Sequence, residues 1–375
     1  MNSLHIGVNA LYLIPGGVGG SETYLRNLLR ALAALETPHR FTVFTNRETG
    51  REAVPDHPHW QVQPAQVRAR YRPARLIYEQ TILPWRCGGV DVLFCPGFTA
   101  PALAPCPAVT TIHDLQHKRH PEYFRWFERP FWRYFVWQAV HTSARLVAVS
   151  ETTRADLMQC YTIDSDKVEV VGHGVEEEFF SVGARRQNRN PEPVLLCPST
   201  THPHKNHARL VRCFRQFSAA HPEWRLVMTG VSGFADRGVR EQIAALGLES
   251  RVQILGWLPR EELYSWFERA GAVVYPSTFE GFGFPVVEAL AAGIPVACSN
   301  IEPLRTIAAD AALLFDPASE ADMLHALERI GSDEPLRAQL AQAGPIRAAQ
   351  FTWRKCAEKT LAILVQAAGR AKPGM

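Results

Sequence analysis

The sequence predicts an α/β protein built from two doubly wound parallel-sheet domains. Three observations predict it. Short apolar runs alternate with helix-period segments along most of the chain. The 375 residues are 46% hydrophobic with a net charge of +3, too apolar for a disordered chain and too long for one ordinary domain. The alternation also stops once, in a polar stretch near the middle, and then restarts. An even split gives domains of about 190 residues, which bury roughly 70% of the surface their unfolded chains expose, so neither requires disulfides or a structural metal.

In the first half the apolar runs at 4–9, 40–45, 90–94, 108–112, 146–149 and 168–171 are expected strands, with helices at 21–35, 75–83, 122–143 and 150–161. Ser150 is placed to cap the helix that opens at Glu151. Residues 177–193 are expected to link the domains, because Gly183-Ala184-Arg185-Arg186-Gln187-Asn188-Arg189-Asn190-Pro191 is polar and aperiodic. The N-terminal domain is thus 1–176. The C-terminal one is 194–350, with strands at 194–197, 225–229, 252–255, 272–275, 295–298 and 312–315. Its helices are expected at 206–220, 236–246, 260–270, 285–292, 319–330 and 334–343. A last helix, capped by Thr352, occupies much of 351–375.

Composition excludes some functions. Forty basic against 37 acidic residues argue against a general nucleic-acid binder. Only six of the forty are lysines, which makes a lysine inside a motif conspicuous. The eight cysteines form no C-x-x-C pair and no zinc spacing, which fits buried thiols in a reducing cytoplasm. Leu4 to Asn9 lacks the basic flank of a signal peptide and reads as a strand. No apolar run reaches the roughly 20 residues that span a bilayer, so membrane contact would be peripheral.

The sharpest motif runs from Pro276 through Glu280-Gly281-Phe282-Gly283-Phe284-Pro285 to Glu288 and on to Val296. A strand ends, a glycine-bearing loop follows, and Pro285 suits a helix's first turn. The amides of 282–284 and the helix dipole would then form an anion site, with phosphate as its natural ligand. Glu280 and Glu288 would accept hydrogen bonds from sugar hydroxyls beside that phosphate. The plain alternative is a capping Glu280 and a solvated Glu288.

This run resembles the E-x7-E motif of retaining glycosyltransferase family four, whose GT-B fold sets two Rossmann-like domains about a central cleft. Gly256 after a strand, Glu261-Glu262-Leu263, Pro276-Ser277 and Gly293-Ile294-Pro295-Val296 match as well. The resemblance implies that Glu288 binds the ribose, that Glu280 holds donor-sugar hydroxyls near the reaction centre, and that Gly281, Phe282, Gly283 and Phe284 contact sugar and phosphate. Gly256 would lie in a loop beside the nucleotide base.

Charge on the leaving diphosphate falls to Lys205, in Pro203-His204-Lys205-Asn206 at a helix start. This resembles the family's R-K-N element with His204 in place of the arginine. Some relatives carry a second arginine where Ser199 stands, which leaves the second phosphate charge unassigned. Asp164-Ser165-Asp166 imitates a manganese-binding D-x-D but falls in a polar turn. His202, His204 and His207, like His113, His117 and His120, lack the partners of a closed zinc site. No metal ligand and no cofactor is expected.

Pro15-Gly16-Gly17-Val18-Gly19-Gly20-Ser21-Glu22 follows the first strand. Glu22 occupies the third glycine position of a dinucleotide fingerprint, which weakens a dehydrogenase reading. The loop resembles the family's N-terminal glycine loop, with Gly17, Gly19 and Gly20 near the donor diphosphate and the acceptor. Its two glycine pairs leave the register open. His113-Asp114-Leu115, continued by His120-Pro121-Glu122-Tyr123-Phe124, matches a subgroup rich in mannosyltransferases. There His113 would assist at the anomeric centre, and Asp114 would orient it or meet the acceptor.

No carboxylate stands out as a nucleophile for double displacement. Retention would then come from attack on the face the diphosphate leaves, its oxygen accepting the acceptor's proton. Residues 123–137 interleave aromatic residues with arginine, and Arg68-Ala69-Arg70-Tyr71-Arg72-Pro73-Ala74-Arg75 is basic. Helix packing is one reading; contact with a bilayer or a polyprenyl-linked acceptor is the other. The expected protein is a cytoplasmic transferase, peripheral at the inner membrane face on the second of those readings. It would move a hexose, mannose from GDP-mannose, to a lipid-linked or polysaccharide glycan. Another nucleotide-sugar donor and a non-catalytic sugar-nucleotide-binding protein are the alternatives.

Overall fold

The computed structural model describes residues 3–17, 19–187 and 189–370, so Val18 of the glycine loop and Asn188 of the expected linker lie outside the described residues. The chain forms two compact units. One ends at Gly174 and takes up the chain again from Trp353; the other is Val175–Thr352.

The first unit holds seven parallel strands: β1 (His5–Asn9), β2 (Arg40–Thr45), β3 (Trp60–Pro64), β4 (Val92–Cys95), β5 (Ala108–Ile112), β6 (Arg145–Ala148) and β7 (Val168–Val170). Their order is β3-β2-β1-β4-β5-β6-β7. β4, β5 and β6 are buried along their whole length, as expected for strands covered on both faces. The winding reverses between β1 and β4. Loops leaving the carboxyl ends of these two strands therefore diverge and open a crevice.

Three features of this unit differ from the sequence reading. β3 is an edge strand whose Trp-Gln-Val-Gln-Pro alternation lacks the apolar run of a two-sided strand; Trp60 stacks on Phe41 at 4.4 Å. The expected helix 75–83 starts earlier, at Arg72–Thr81 with Pro73 in its first turn, and a separate turn follows at Leu83–Arg86. The expected helix 122–143 is broken into a 3-10 turn, Pro121–Tyr123, and a helix Arg129–Thr142 that begins around Pro130. The helix Trp353–Arg370 packs on the helix Gly20–Ala33 and on β4, β5 and β6.

The second unit holds β8 (Glu192–Pro198), β9 (Arg225–Thr229), β10 (Val252–Gly256), β11 (Ala270–Tyr275), β12 (Val296–Ser299) and β13 (Leu313–Phe315), all parallel, in the order β10-β9-β8-β11-β12-β13. One core gathers Phe214, Phe217, Trp224, Met228 and Phe315, each buried and each contributing roughly 1.5–3 kcal/mol of burial. Here the winding reverses between β8 and β11. The stretch expected as a linker is corrected, because Glu177–Arg186 is a helix of this unit. Its acids lie in the first turn and its arginines in the last, matching the helix dipole, and Phe179 and Val182 form its buried face. Arg186 Nη1 donates to the carbonyls of Phe267, Glu268 and Ala270 at 2.7–2.8 Å, tying the helix down.

All eight cysteines are free thiols, six of them buried. No described helix is long and apolar enough to cross a membrane.

Candidate active site

In the second unit the reversal of winding brings together loops far apart in sequence. After β8 a 3-10 turn, Pro203–Lys205, leads to Asn206, whose left-handed backbone (φ 59°) starts the helix His207–Ala220. After β11 the loop from Pro276 folds against that turn. Thr278 donates its amide (2.7 Å) and its hydroxyl (3.1 Å) to the His204 carbonyl, and Ser277 Oγ donates to the same oxygen at 3.1 Å.

This stitching sets Lys205 beside Glu280. Lys205 Nζ donates to Glu280 Oε1 at 2.6 Å and to the Tyr275 hydroxyl at 2.8 Å, and the pair is largely buried. Two of the three ammonium hydrogens are thereby engaged, and the third is available to an incoming oxygen. Tyr275 is 2% exposed, and burial together with Glu280 holds its hydroxyl well above its usual range. It stays neutral.

Gly283 adopts φ 115° immediately before the helix Phe284–Ala291. A Cβ there would lie 2.4 Å from Leu304 Cδ2, so the turn requires glycine. Phe282 is buried, while Gly281 and Phe284 are partly buried. Glu288, one turn into the helix, is buried and not solvated. Burial raises its carboxyl above the usual range, and Arg260, 3.8 Å away, opposes that rise. Arg260 also pairs with Glu176, which accepts a 2.7 Å hydrogen bond from the Tyr264 hydroxyl. Gly256 closes β10 at φ 74°.

The histidines of this loop are spent separately. His207 Nε2 lies 3.0 Å from the Ser199 hydroxyl, and burial pushes its imidazole down to about 4. His202 packs edge-on against Phe234. Ser199 is thus committed to a neutral partner.

In the first unit the glycine loop follows β1. Gly19 (φ 57°) caps the helix Gly20–Ala33, and a Cβ on Gly17 would meet Ile14 Cγ2 at 2.9 Å. Glu22 folds back over the loop: its Oε2 accepts the Gly16 amide at 2.7 Å and its Oε1 accepts from Arg26 at 2.7 Å. The acid that spoils a dinucleotide fingerprint is therefore the loop's own clasp.

His113 follows β5. Its Nε2 lies 2.8 Å from the Pro96 carbonyl, which can only accept, so Nε2 carries the hydrogen and Nδ1 the lone pair. Burial pushes this imidazole down to about 4, so it is neutral at pH 7. Tyr24 packs edge-on against it at 4.9 Å, and buried His173 lies 5.7 Å away. The Pro96 carbonyl holds Nε2 of the ring, and Asp114 Oδ1 accepts the Gln116 amide at 2.9 Å at the start of the turn Gln116–Arg119. Asp164 likewise accepts the Asp166 amide at 3.0 Å, a local cap.

Two family models account for most of the chain: "Glycosyltransferase Family 4" matches residues 18–179 and "Glycosyl transferases group 1" matches residues 183–347. The chain belongs to glycosyltransferase family four. This family-four chain is 26% identical over 267 residues to the O-antigen chain mannosyltransferase B of Escherichia coli, a match covering 68% of this chain and 69% of that protein. It is also 26% identical over 220 residues to the O-antigen chain mannosyltransferase RfbU of Salmonella typhimurium, covering 59% and 60%. Among solved structures it resembles the sucrose-phosphate synthase of Thermosynechococcus elongatus, with TM-score 0.80 and 19% identity over 98% of this chain and 100% of that one. Anabaena HepE in complex with UDP-glucose gives TM-score 0.76 and 19% identity, covering 97% and 100%. These likenesses establish the GT-B fold.

Residue types alone do not single out Tyr275, Arg260 and Glu176 in the second unit or His173 in the first. Tyr275 reads as one more apolar residue of a buried strand, and His173 stands in Val171-Gly172-His173-Gly174 without a motif. Arg260 adjoins the Glu261-Glu262-Leu263 match, the one signal that pointed near it.

Proposed function

We propose that this chain is a retaining, metal-independent hexosyltransferase that moves mannose from GDP-mannose to a lipid-linked or polysaccharide glycan. The observation that carries the reading is the buried Lys205–Glu280 pair at the reversal point, with Glu288 one turn into the adjoining helix. Lys205, with an ammonium hydrogen to spare, and the helix N-terminus take the diphosphate charge. Glu288 accepts the ribose hydroxyls. Glu280 holds Lys205 on one oxygen and offers the other to the donor sugar, whose phosphate the amides of 281–284 also contact. Gly17, Gly19 and Gly20 let backbone approach substrate. His113 presents Nδ1 as an acceptor for a sugar hydroxyl at the anomeric centre. The departing phosphate oxygen takes the acceptor's proton, and the new bond forms on the face it leaves. Asp114 is assigned to the acceptor side.

The mannosyl reading is supported by the names of the O-antigen relatives. A UDP-sugar donor is the second reading, favoured by the HepE complex with UDP-glucose.

Calorimetry against GDP-, UDP- and ADP-sugars tests the donor. Glu288→Ala is expected to weaken the preferred nucleotide sugar about 10- to 100-fold, the worth of hydrogen bonds to a charged acceptor. Glu280→Ala and His113→Ala are expected to depress turnover, and EDTA to leave it unchanged. Inhibition by EDTA, or full activity without both Glu280 and His113, overturns the mechanism.

A further inference from the structure

Glu288 poses a charge problem that the motif around it does not solve. Its carboxyl is buried in the helix Phe284–Ala291, and burial favours the protonated form. A carboxylate accepts hydrogen bonds at both oxygens, whereas protonation turns one of them into a donor. Accepting from both hydroxyls of a ribose therefore requires a counter-charge. Among the described residues, three titratable groups of neighbouring elements face Glu288: Arg260 and Tyr264 from the helix Arg260–Arg269, and Tyr275 from β11. Burial holds both phenols above their usual range, so they stay neutral and Arg260 is the cation of the three.

The helix that Arg260 opens gives no reason for a cation there. A positive charge in the first turn opposes the helix dipole, and the next two residues, Glu261 and Glu262, are the exposed acids that suit it. The Arg260 side chain turns instead between two largely buried carboxylates. It pairs with Glu176 Oε1, and its Nη2 lies 3.8 Å from Glu288 Oε1. Glu176 Oε2 in turn accepts the Tyr264 hydroxyl at 2.7 Å. The guanidinium lies over the rings of Phe179 and Tyr264, 5.7 Å from each centroid, and those rings meet edge-on at 5.1 Å. Glu176 and the two rings thus hold Arg260 beside Glu288, and all five residues belong to the second unit.

We propose that Arg260 is a positioning residue of the donor site: it supplies the counter-charge with which Glu288 meets both ribose hydroxyls as a carboxylate, and so sets the preference for a ribonucleotide over its 2′-deoxy form. The inference rests on the assignment of Glu288 to the ribose and adds to it a residue outside the E-x7-E motif. It holds for a GDP-sugar and a UDP-sugar alike, because the ribose is common to both. An adjacent opposite charge lowers a carboxyl by about one to three pH units. Without Arg260, Glu288 takes up its proton at a higher pH, and affinity is lost as pH falls through that point.

The test is calorimetry of the full chain with GDP, UDP and their 2′-deoxy forms across neutral pH. The parent is expected to bind the better diphosphate about tenfold more tightly than its 2′-deoxy form, the worth of a hydrogen bond to a charged group. In Arg260→Gln that preference is expected to shrink as pH falls, with the midpoint of the loss about one pH unit or more above the parent's. Arg260→Lys keeps the charge and is expected to return the profile toward the parent's. The diphosphate and the histidines titrate in parent and variant alike, so the difference between the two profiles belongs to Glu288. Unchanged affinity and preference in Arg260→Gln overturn the proposal. So does a loss that is equal at every pH and is not relieved by lysine, which would make Arg260 a structural prop. Glu288→Ala reports on the ribose separately. If it retains the preference, the ribose assignment fails and this inference with it; if it abolishes the preference while Arg260→Gln matches the parent, the role of Arg260 alone fails.

Discussion

Tyr275 shows how much of this site depends on a side chain that no motif contains. Its hydroxyl and the Glu280 carboxylate together hold the Lys205 ammonium, so in the proposed function the cation is aimed before the diphosphate arrives. Tyr275→Phe keeps the ring and the strand but leaves a desolvated ammonium with one partner fewer. It is expected to weaken nucleoside-diphosphate binding by about 1–2 kcal/mol in calorimetry while changing the melting temperature little. Unchanged affinity would show that Glu280 alone positions the lysine. Lys205, Glu280 and Glu288 stand out in the sequence because the motifs around them resemble those of family four. Tyr275 and Arg260 do not, because their work depends on which strands adjoin, and β8 and β11 are neighbours only once the sheet is wound.

At the scale of elements, the loop after β11 rests on Gly283. Gly283 and Gly256 both have positive φ but differ in crowding. A Cβ at Gly283 meets Leu304 at 2.4 Å, whereas at Gly256 nothing lies within 4 Å. Gly283→Ala is therefore expected to cost about 2–4 kcal/mol in urea unfolding and to abolish nucleotide binding. Gly256→Ala carries only the backbone term of about 1–2 kcal/mol. Equal losses would mean that Leu304 gives way and the loop is softer than described. The two-sided strands were readable because continuous apolar runs permit little else. β3 and the helix Glu177–Arg186 escape for a shared reason: each packs a single narrow face, buried Trp60 with half-buried Val62 in one and Phe179 with Val182 in the other, too short a signal to stand out against polar surroundings.

For the whole molecule, burial of neutral imidazoles sets the response to acid. His113, His117 and His207 are pushed from the ordinary 6.5 down to about 4. Between those values the unfolded chain binds more protons than the folded one, so stability falls as pH drops through that window. Deeply buried His207 is expected to cost about 3 kcal/mol across it, and the less buried His117 less. Glu288, raised by burial, acts in the opposite sense, but it is one carboxyl against six imidazoles, because burial also lowers His39, His173 and His202. Melting temperatures measured from pH 7 to pH 4.5 are expected to fall steadily; a flat profile would show that these rings are solvated.

The first unit is interrupted: its chain leaves at Gly174 and returns only at Trp353. During synthesis the N-terminal strands emerge first, yet their helix Trp353–Arg370 arrives after the whole of Val175–Thr352 has been made. The later-encoded unit is contiguous and has every element it needs before the earlier one does. On the ribosome the order of completion is the reverse of the order of translation. Until the last helix docks, Tyr24 and the apolar surface of β4 must wait uncovered for their partner.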